Sequence, residues 1–303
     1  MNKFFRIFLF VLILWGLSYV VAMLFFSSEG STLSGDYIAV IPIEGMITLD
    51  GGDSLLSSST SGEAIAKQVQ EASDDASIKG IVLEINSPGG TVMGSKIVAD
   101  AVKKVDKPIV AVITESGTSG AYWIASQADY IVADQLSLVG SIGVLGSYLE
   151  YGGLLEDYNV SYERLVTAEY KDIGTPYREM NPEEKALMLD RLDEIHAYFV
   201  QEVAMGRHMQ VEDVHALANG LFYLGEDGVK NGLVDSIGDK EYAINLTKEL
   251  AGVSDGSVSV YSQDESLFGG IVSKYLSYSS YYIGVGIGKV LFSAQMPELN
   301  IRT

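Results

Sequence analysis

Between residues 80 and 166 short apolar runs alternate with stretches of helical pattern, and no other feature constrains the fold as much. Residues 80–85, 108–113, 130–133, 141–145 and 162–166 read as strands. Residues 91–105, 119–127 and 149–158 read as helices between them. The runs carry few polar residues, as strands covered on both faces do. Such strands alternating with helices predict an α/β layer fold with parallel strands. A strand over 37–43 and a helix over 63–72 precede this region, and residues 49–62, rich in Gly and Ser, read as a mobile loop. Beyond it, Asn181-Pro182-Glu183-Glu184 has the marks of a helix start, with Asn at the cap, Pro in the first turn and acids at the positive dipole end. Met188, Leu192, Ile195 and Phe199 then recur at helical spacing and read as a packing stripe. Residues 232–235 read as a short strand and 239–250 as a closing helix.

The two ends differ from this middle. Residues 7–28 carry no charge and are mostly Leu, Ile, Val and Phe. A helix of that length rises about 33 Å, enough for a bilayer core of about 30 Å. Lys3 and Arg6 precede it, while Glu29 and Asp36 follow. The positive-inside tendency then puts the N-terminus in the cytoplasm and the bulk of the chain outside. A cleaved signal peptide is the competing reading, but the long apolar stretch ends in bulky Leu24, Phe25 and Phe26, which favours an uncleaved transmembrane anchor over 1–28. A linker over 29–36, a folded domain over 37–255 and a tail over 256–303 complete the expected organisation. Tyr275, Tyr278, Tyr281 and Tyr282 lie in an uncharged stretch of the tail too short to span a bilayer, which leaves an oligomer or membrane contact against disorder.

Composition removes several classes of function. A net charge of −20 with no basic stripe excludes nucleic acid as a partner. The absence of cysteine excludes disulfides, cysteine nucleophiles and thiolate metal sites. The three histidines, His196, His208 and His215, accompany no motif and have no convincing metal spacing, so they read as surface residues. Neither a metal nor another cofactor is expected.

Amide hydrolysis needs a nucleophile, a base and donors for the developing oxyanion. Ser119 follows the apolar run 109–113 and a turn at Gly117, and opens a small-residue helix. A serine there is either a nucleophile at a helix N-terminus, where free amides favour negative charge, or simply the helix cap. Ser87-Pro88-Gly89-Gly90 sits between a strand and a helix, where glycines let backbone amides approach a ligand or merely make a turn. Gly90 or Gly89, with Gly120, is a candidate oxyanion pair. With histidine unsupported as a base, lysine remains, and it serves only where its surroundings favour the neutral amine. Lys171 is the candidate, against a simply solvated loop lysine, and Ser141 in Gly140-Ser141-Ile142-Gly143 either orients its amine or satisfies the loop backbone.

The set Asn86–Gly90, Ser119–Tyr122, Gly140–Val144, Tyr170-Lys171-Asp172, Arg178-Glu179-Met180 and Gly232–Asp235, in that order and spacing, resembles signal peptide peptidase A, short form, of the S49 Ser-Lys peptidases. The resemblance covers roughly residues 37–251. It implies a ClpP/crotonase-like fold, Ser119 as nucleophile and Lys171 as general base. It also implies Ser141 as the lysine-orienting hydroxyl and Gly90 and Gly120 as oxyanion donors. Thr118 and Ala121 stand where family members tend to have further glycine. Implied substrates are apolar peptides at the extracytoplasmic membrane face, remnant signal peptides among them, and the implied assembly is a homo-oligomeric ring. A stomatin-directed protease of the same dyad type, a crotonase-like acyl-CoA enzyme and a non-catalytic membrane scaffold are the alternatives.

Overall fold

The computed structural model describes residues 36–54, 57–253 and 257–260. The expected anchor over 1–28, nearly all of the 29–36 linker and most of the 256–303 tail lie outside the described residues. No helix among the described residues is long and apolar enough to cross a membrane.

Eight strands form the main sheet. Its spine runs β10 (Ser236–Ile237), β7 (Tyr130–Ala133), β6 (Ile109–Thr118), β5 (Ile78–Ser87), β1 (Tyr37–Glu44) and β11 (Ser257–Val260), with every neighbouring pair parallel. β8 (Leu138–Gly140) joins β6 in parallel, and β9 (Phe222–Leu224) runs antiparallel to β8. The sequence expectation of parallel strands alternating with helices is met by β5, β6 and β7. In β1 the run Ile38, Ala39, Val40 and Ile41 has no exposed surface, as a strand covered on both faces requires.

Helices supply both covers. The residues Ile38, Val40, Val82, Val110, Val112 and Val132 cluster with Ala243 of α8 (Lys240–Ala251) on one face. By the two-residue period, Ala39, Ile41, Leu83 and Ala111 point the other way. There α1 (Gly62–Asp74) packs on β1 and β5, and α3 (Gly120–Ala125) packs on β5 and β6. Between those helices runs α2 (Val92–Val102). Two short helices, α4 (Gly152–Asp157) and α6 (Val211–Leu217), flank the 25-residue α5 (Pro182–Gly206), and α7 (Gly225–Lys230) precedes β10. The start of α5 is a full capping box: Glu184 N donates to Asn181 Oδ1 at 2.8 Å, and Asn181 N to Glu184 Oε2 at 2.9 Å.

Several expectations are corrected. The loop expected over 49–62 holds β3 (Gly52–Ser54) and β4 (Ser57–Ser61), which with β2 (Met46–Thr48) just before it form a small sheet in the order β2-β4-β3. Serine is a turn residue by propensity, yet here its hydroxyls cross-link strands, as in Ser59 Oγ to Gly52 O at 3.1 Å. β6 does not stop at Ile113. It exchanges β7 for β8 as partner and continues to Thr118, with a register shift against β5 after Ile85. Neither 141–145 nor 162–166 is a strand. Gly140 and Ser141 both have positive φ, 79° and 50°, which turns the chain out of β8 before the apolar residues arrive. Residues 232–235 are likewise not a strand, and their job is to anchor the fold. The Tyr122 hydroxyl of α3 donates to Leu233 O at 2.8 Å. Arg207, just past α5, makes a two-pronged pair with Asp235 at 2.7 and 2.9 Å and also donates to Gly232 O.

The Arg207 side chain is only 7% exposed. Removing one partner of such a pair leaves a charge uncompensated, so Asp235→Ala is expected to cost about 3 kcal/mol of folding stability. Urea unfolding of the two proteins side by side checks this, with Asp235→Asn expected to lie between them.

Candidate active site

Where β6 gives way to α3, the backbone of Ser119 is held at φ 54° and ψ −126°. Positive φ is costly for a residue with a Cβ and persists only where neighbours enforce it. One enforcing contact is the Ser119 N–H, which donates to Gly140 O at 2.8 Å. The Ser119 side chain makes no capping hydrogen bond to α3. The capping alternative raised by the sequence is therefore not how this hydroxyl is used, and it stands free at the head of a buried helix.

The glycine turn after β5 lies directly against it. A Cβ on Gly89, whose φ is +96°, would fall 2.7 Å from Gly120 N and 2.9 Å from Ser119 Cβ. A Cβ on Gly90 would sit 1.8 Å from Ile47 O, because β2 bridges to the chain there. The turn is thus glycine for reasons of space as well as conformation. Gly89 N donates to Ser87 Oγ at 3.1 Å. The N–H groups of Gly90 and Gly120 have no hydrogen-bond partner among the described residues. Two open amides beside an unengaged serine hydroxyl make a place where an anionic oxygen is stabilised.

Two cavities meet at Ser119 and share Gly143, Val144 and Leu145 as a common strap. The first, about 460 Å³, holds Gly89, Gly90 and Gly120 and is walled by Met46, Val92, Trp123, Ile195 and Phe199, with no charged lining residue. Ile195 and Phe199, read from sequence as packing, are therefore also cavity wall. The second, about 550 Å³, contains Ser141, Asp193, His196 and Asn219 beside Leu189 and Leu192, with no lysine or arginine in its lining. Ser141 Oγ donates to Gly220 O at 3.0 Å.

Ser119, Ser141, Gly89, Gly90 and Gly120 are thus brought together, and Lys171 is not. Lys171 is exposed, lines neither cavity, and its ammonium has no partner among the described residues. His196, read from the sequence as a surface residue, instead lines the Ser141 cavity, and its Nε2 is buried with no hydrogen-bond partner among the described residues. Its one available signal was its place four residues beyond Leu192 in the α5 stripe. Among the described residues no group of three or more acidic or histidine side chains is arranged to hold a metal ion.

The segment carrying Lys171 is clamped. Asp172 accepts from Arg164 at 2.8 Å and from Arg178 at 3.0 and 3.1 Å, and Arg178 reaches on to Glu184 at 2.6 Å. The Arg164 and Arg178 guanidinium groups hold the Asp172 carboxyl well below the usual carboxylate range. Arg178, then the Asn181 amide, brings Glu184 down to about 2. A Tyr170 hydrogen bond to Glu183 pushes that phenol up to about 12.

A serine hydroxyl beside two open backbone amides is the arrangement of a serine hydrolase. The comparisons narrow the class. Residues 101–254 match the model of Peptidase family S49. A Methanocaldococcus jannaschii protein, "Putative protease MJ0651", is 39% identical over 232 residues, 75% of this chain and 72% of that one. An Enterococcus faecium protein, "Putative signal peptide peptidase SppA", is 33% identical over 239 residues, 78% of this chain and 70% of that one. "Protease 4" of Haemophilus influenzae is 31% identical over 242 residues, which are 75% of this chain and 38% of that longer one. The chain belongs to peptidase family S49 and is a serine-type peptidase of the signal peptide peptidase kind.

The clamp gives a pH prediction. Because Glu184 titrates lower in the folded chain than its ordinary value of 4.5, its contribution to stability is complete above that value and is lost as pH falls towards about 2. Hydrogen exchange should find the bonded amides of Lys171, Ile173, Thr175, Asn181 and Glu184 protected at pH 6 and losing protection between pH 4.5 and 2, ahead of β5 and β6.

Proposed function

We propose that this chain is a membrane-anchored endopeptidase that cleaves apolar peptides, remnant signal peptides among them, on the extracytoplasmic face, using Ser119 and Lys171 as a dyad. The observation that carries this reading is the free Ser119 hydroxyl beside the open Gly90 and Gly120 amides. Neutral Lys171 takes the Ser119 proton as the oxygen attacks the peptide carbonyl. The Gly90 and Gly120 N–H groups hold the resulting oxyanion, with Gly89 supplying the bend that aims them. The protonated Lys171 gives its proton to the leaving amine. Water, deprotonated by the same lysine, then releases the acyl group from Ser119. The uncharged cavity with Trp123 and Phe199 suits an apolar side chain next to the scissile bond.

The base comes from a second copy of the chain. Lys171 is exposed and lines neither cavity. The Ser141 cavity beside Ser119 has a carboxylate, Asp193, and neither lysine nor arginine. Leu145, Leu149, Tyr158 and Leu165 are exposed on the surrounding segment, 94% in the case of Leu165, and a contact between copies would cover them. Head-to-tail repetition of such a contact closes into a ring. The 7–28 stretch would anchor every copy on one rim, with the N-terminus cytoplasmic.

Intact-mass analysis after a fluorophosphonate probe tests the chemistry: one adduct on the wild type, none on Ser119→Ala, and much less on Lys171→Ala. A full adduct on Ser119→Ala would overturn the nucleophile. Mixing tests the shared site. Each variant alone is expected to be inactive on an apolar peptide. Co-assembled Ser119→Ala and Lys171→Ala chains should recover up to about a quarter of wild-type activity, the share expected when each site draws its two residues from adjacent copies. No recovery would place both residues in one chain.

A further inference from the structure

Glu202 is a carboxylate in an otherwise apolar place. It is 4% exposed on the side of α5 that carries Phe199 and Val203. Two donors converge on its Oε2: Lys103 Nζ, from the end of α2, and the indole Nε1 of Trp123 in α3, at 3.3 Å. Gln127 joins the same turn, with Nε2 donating to Glu202 O at 3.2 Å and to Trp123 O at 3.3 Å. One side chain therefore ties together three helices that meet behind the nucleophile.

Stability is a poor account of this arrangement. A buried ion pair is commonly matched or bettered by apolar groups of the same volume. A buried indole N–H, however, needs an acceptor. Trp123 is 3% exposed, and Glu202 is its acceptor among the described residues. That bond fixes which edge of the indole faces α5 and which faces the cavity. With the N–H held, the ring stacks on Phe199 at 5.2 Å and 24° and meets Tyr198 edge-on at 5.7 Å. Trp123 and Phe199 are both walls of the apolar cavity that opens on Ser119. Trp123 also lies one turn beyond the nucleophile, its backbone N–H donating to Ser119 O at 3.0 Å.

We infer that Glu202, aimed by Lys103, is a positioning residue. It holds the Trp123 indole so that the cavity beside Ser119 accepts and discriminates bulky apolar side chains. It touches no substrate itself and acts through Trp123. The inference rests on the peptidase reading with Ser119 as nucleophile.

The test uses the full chain in lipid nanodiscs and a series of peptides that vary the apolar residue at the scissile bond. Glu202→Leu fills the same space without an acceptor. It is expected to raise KM for peptides with Leu or Phe at that position about tenfold, the scale of a misfitted apolar pocket. Its kcat should stay near wild type, as should its rate of labelling by a small methyl fluorophosphonate that does not fill the cavity. Glu202→Gln keeps an oxygen for the indole N–H and should restore the wild-type KM series. Lys103→Met, changed at a partly exposed site, should shift the series part of the way and serves if the leucine variant does not fold. A KM series unchanged in both Glu202→Leu and Lys103→Met would overturn the inference. So would a fall in kcat and labelling rate that parallels KM and that glutamine does not rescue. If the wild type takes up no probe, the nucleophile reading fails first. Affinities of the same peptides for Ser119→Ala, with and without Glu202→Leu, then decide: about tenfold weaker binding of the bulky peptides supports the positioning role, and equal binding overturns it.

Discussion

A serine held at φ 54° sits in a conformation that costs about 1–3 kcal/mol, so the structure around it has to keep it there. Four ties do so from different directions. Gly140 O takes the Ser119 amide proton from β8. The Gly89 turn presses from β5 so closely that no Cβ fits between. Tyr122 fastens α3 to Leu233, and the Arg207–Asp235 pair fastens that segment in turn. Trp123 fastens the other side of α3 to Glu202. Strands, helices and distant loops contribute to one backbone torsion, and that torsion points the hydroxyl away from its own helix.

The scaffold beneath these ties is the ordinary one for an open parallel sheet. Ligands collect at the C-terminal ends of the strands, where the loops emerge. Here β5 ends in the Gly89–Gly90 turn and β6 ends at Ser119. The exchange of β7 for β8 along β6 is what opens that end. β8 takes up the edge of β6 from Ser116 to Thr118 and delivers Gly140 and Ser141 to the same place.

Much of this was legible in the sequence, and the misses have physical reasons. β5, β6 and β7 were visible because strands covered on both faces must be apolar throughout. α5 was visible because its cap, Asn181, uses side-chain chemistry that is local, and α1 and α8 were read as helices without their caps, Ser61 and Asp239, being noticed. The β2-β4-β3 sheet was not, since its Ser-rich strands are held by long-range pairing and by Ile47 bridging to Gly90. Residues 141–145 were mistaken for a strand because Val144 and Leu145 line cavities instead of packing in a sheet, while Ile142 is buried outside it. In the site, Ser119, Ser141, Gly89, Gly90 and Gly120 were recognisable as motifs and do converge. His196 was read as a surface residue because a helix spacing shows which face a residue shares, not what that face meets. The exposed setting of Lys171 follows from the clamp of Arg164, Asp172, Arg178 and Glu184, which no local pattern announces.

The separation of Lys171 from Ser119 within one chain has a consequence for the cell that makes it. On the proposed reading, a newly folded chain carries a nucleophile and an oxyanion site without the lysine that would serve them. It is inert without any propeptide or inhibitor. Turnover then begins only where copies accumulate, and it scales more steeply than the amount of protein. On that reading dilution would be a safeguard, and local crowding the trigger.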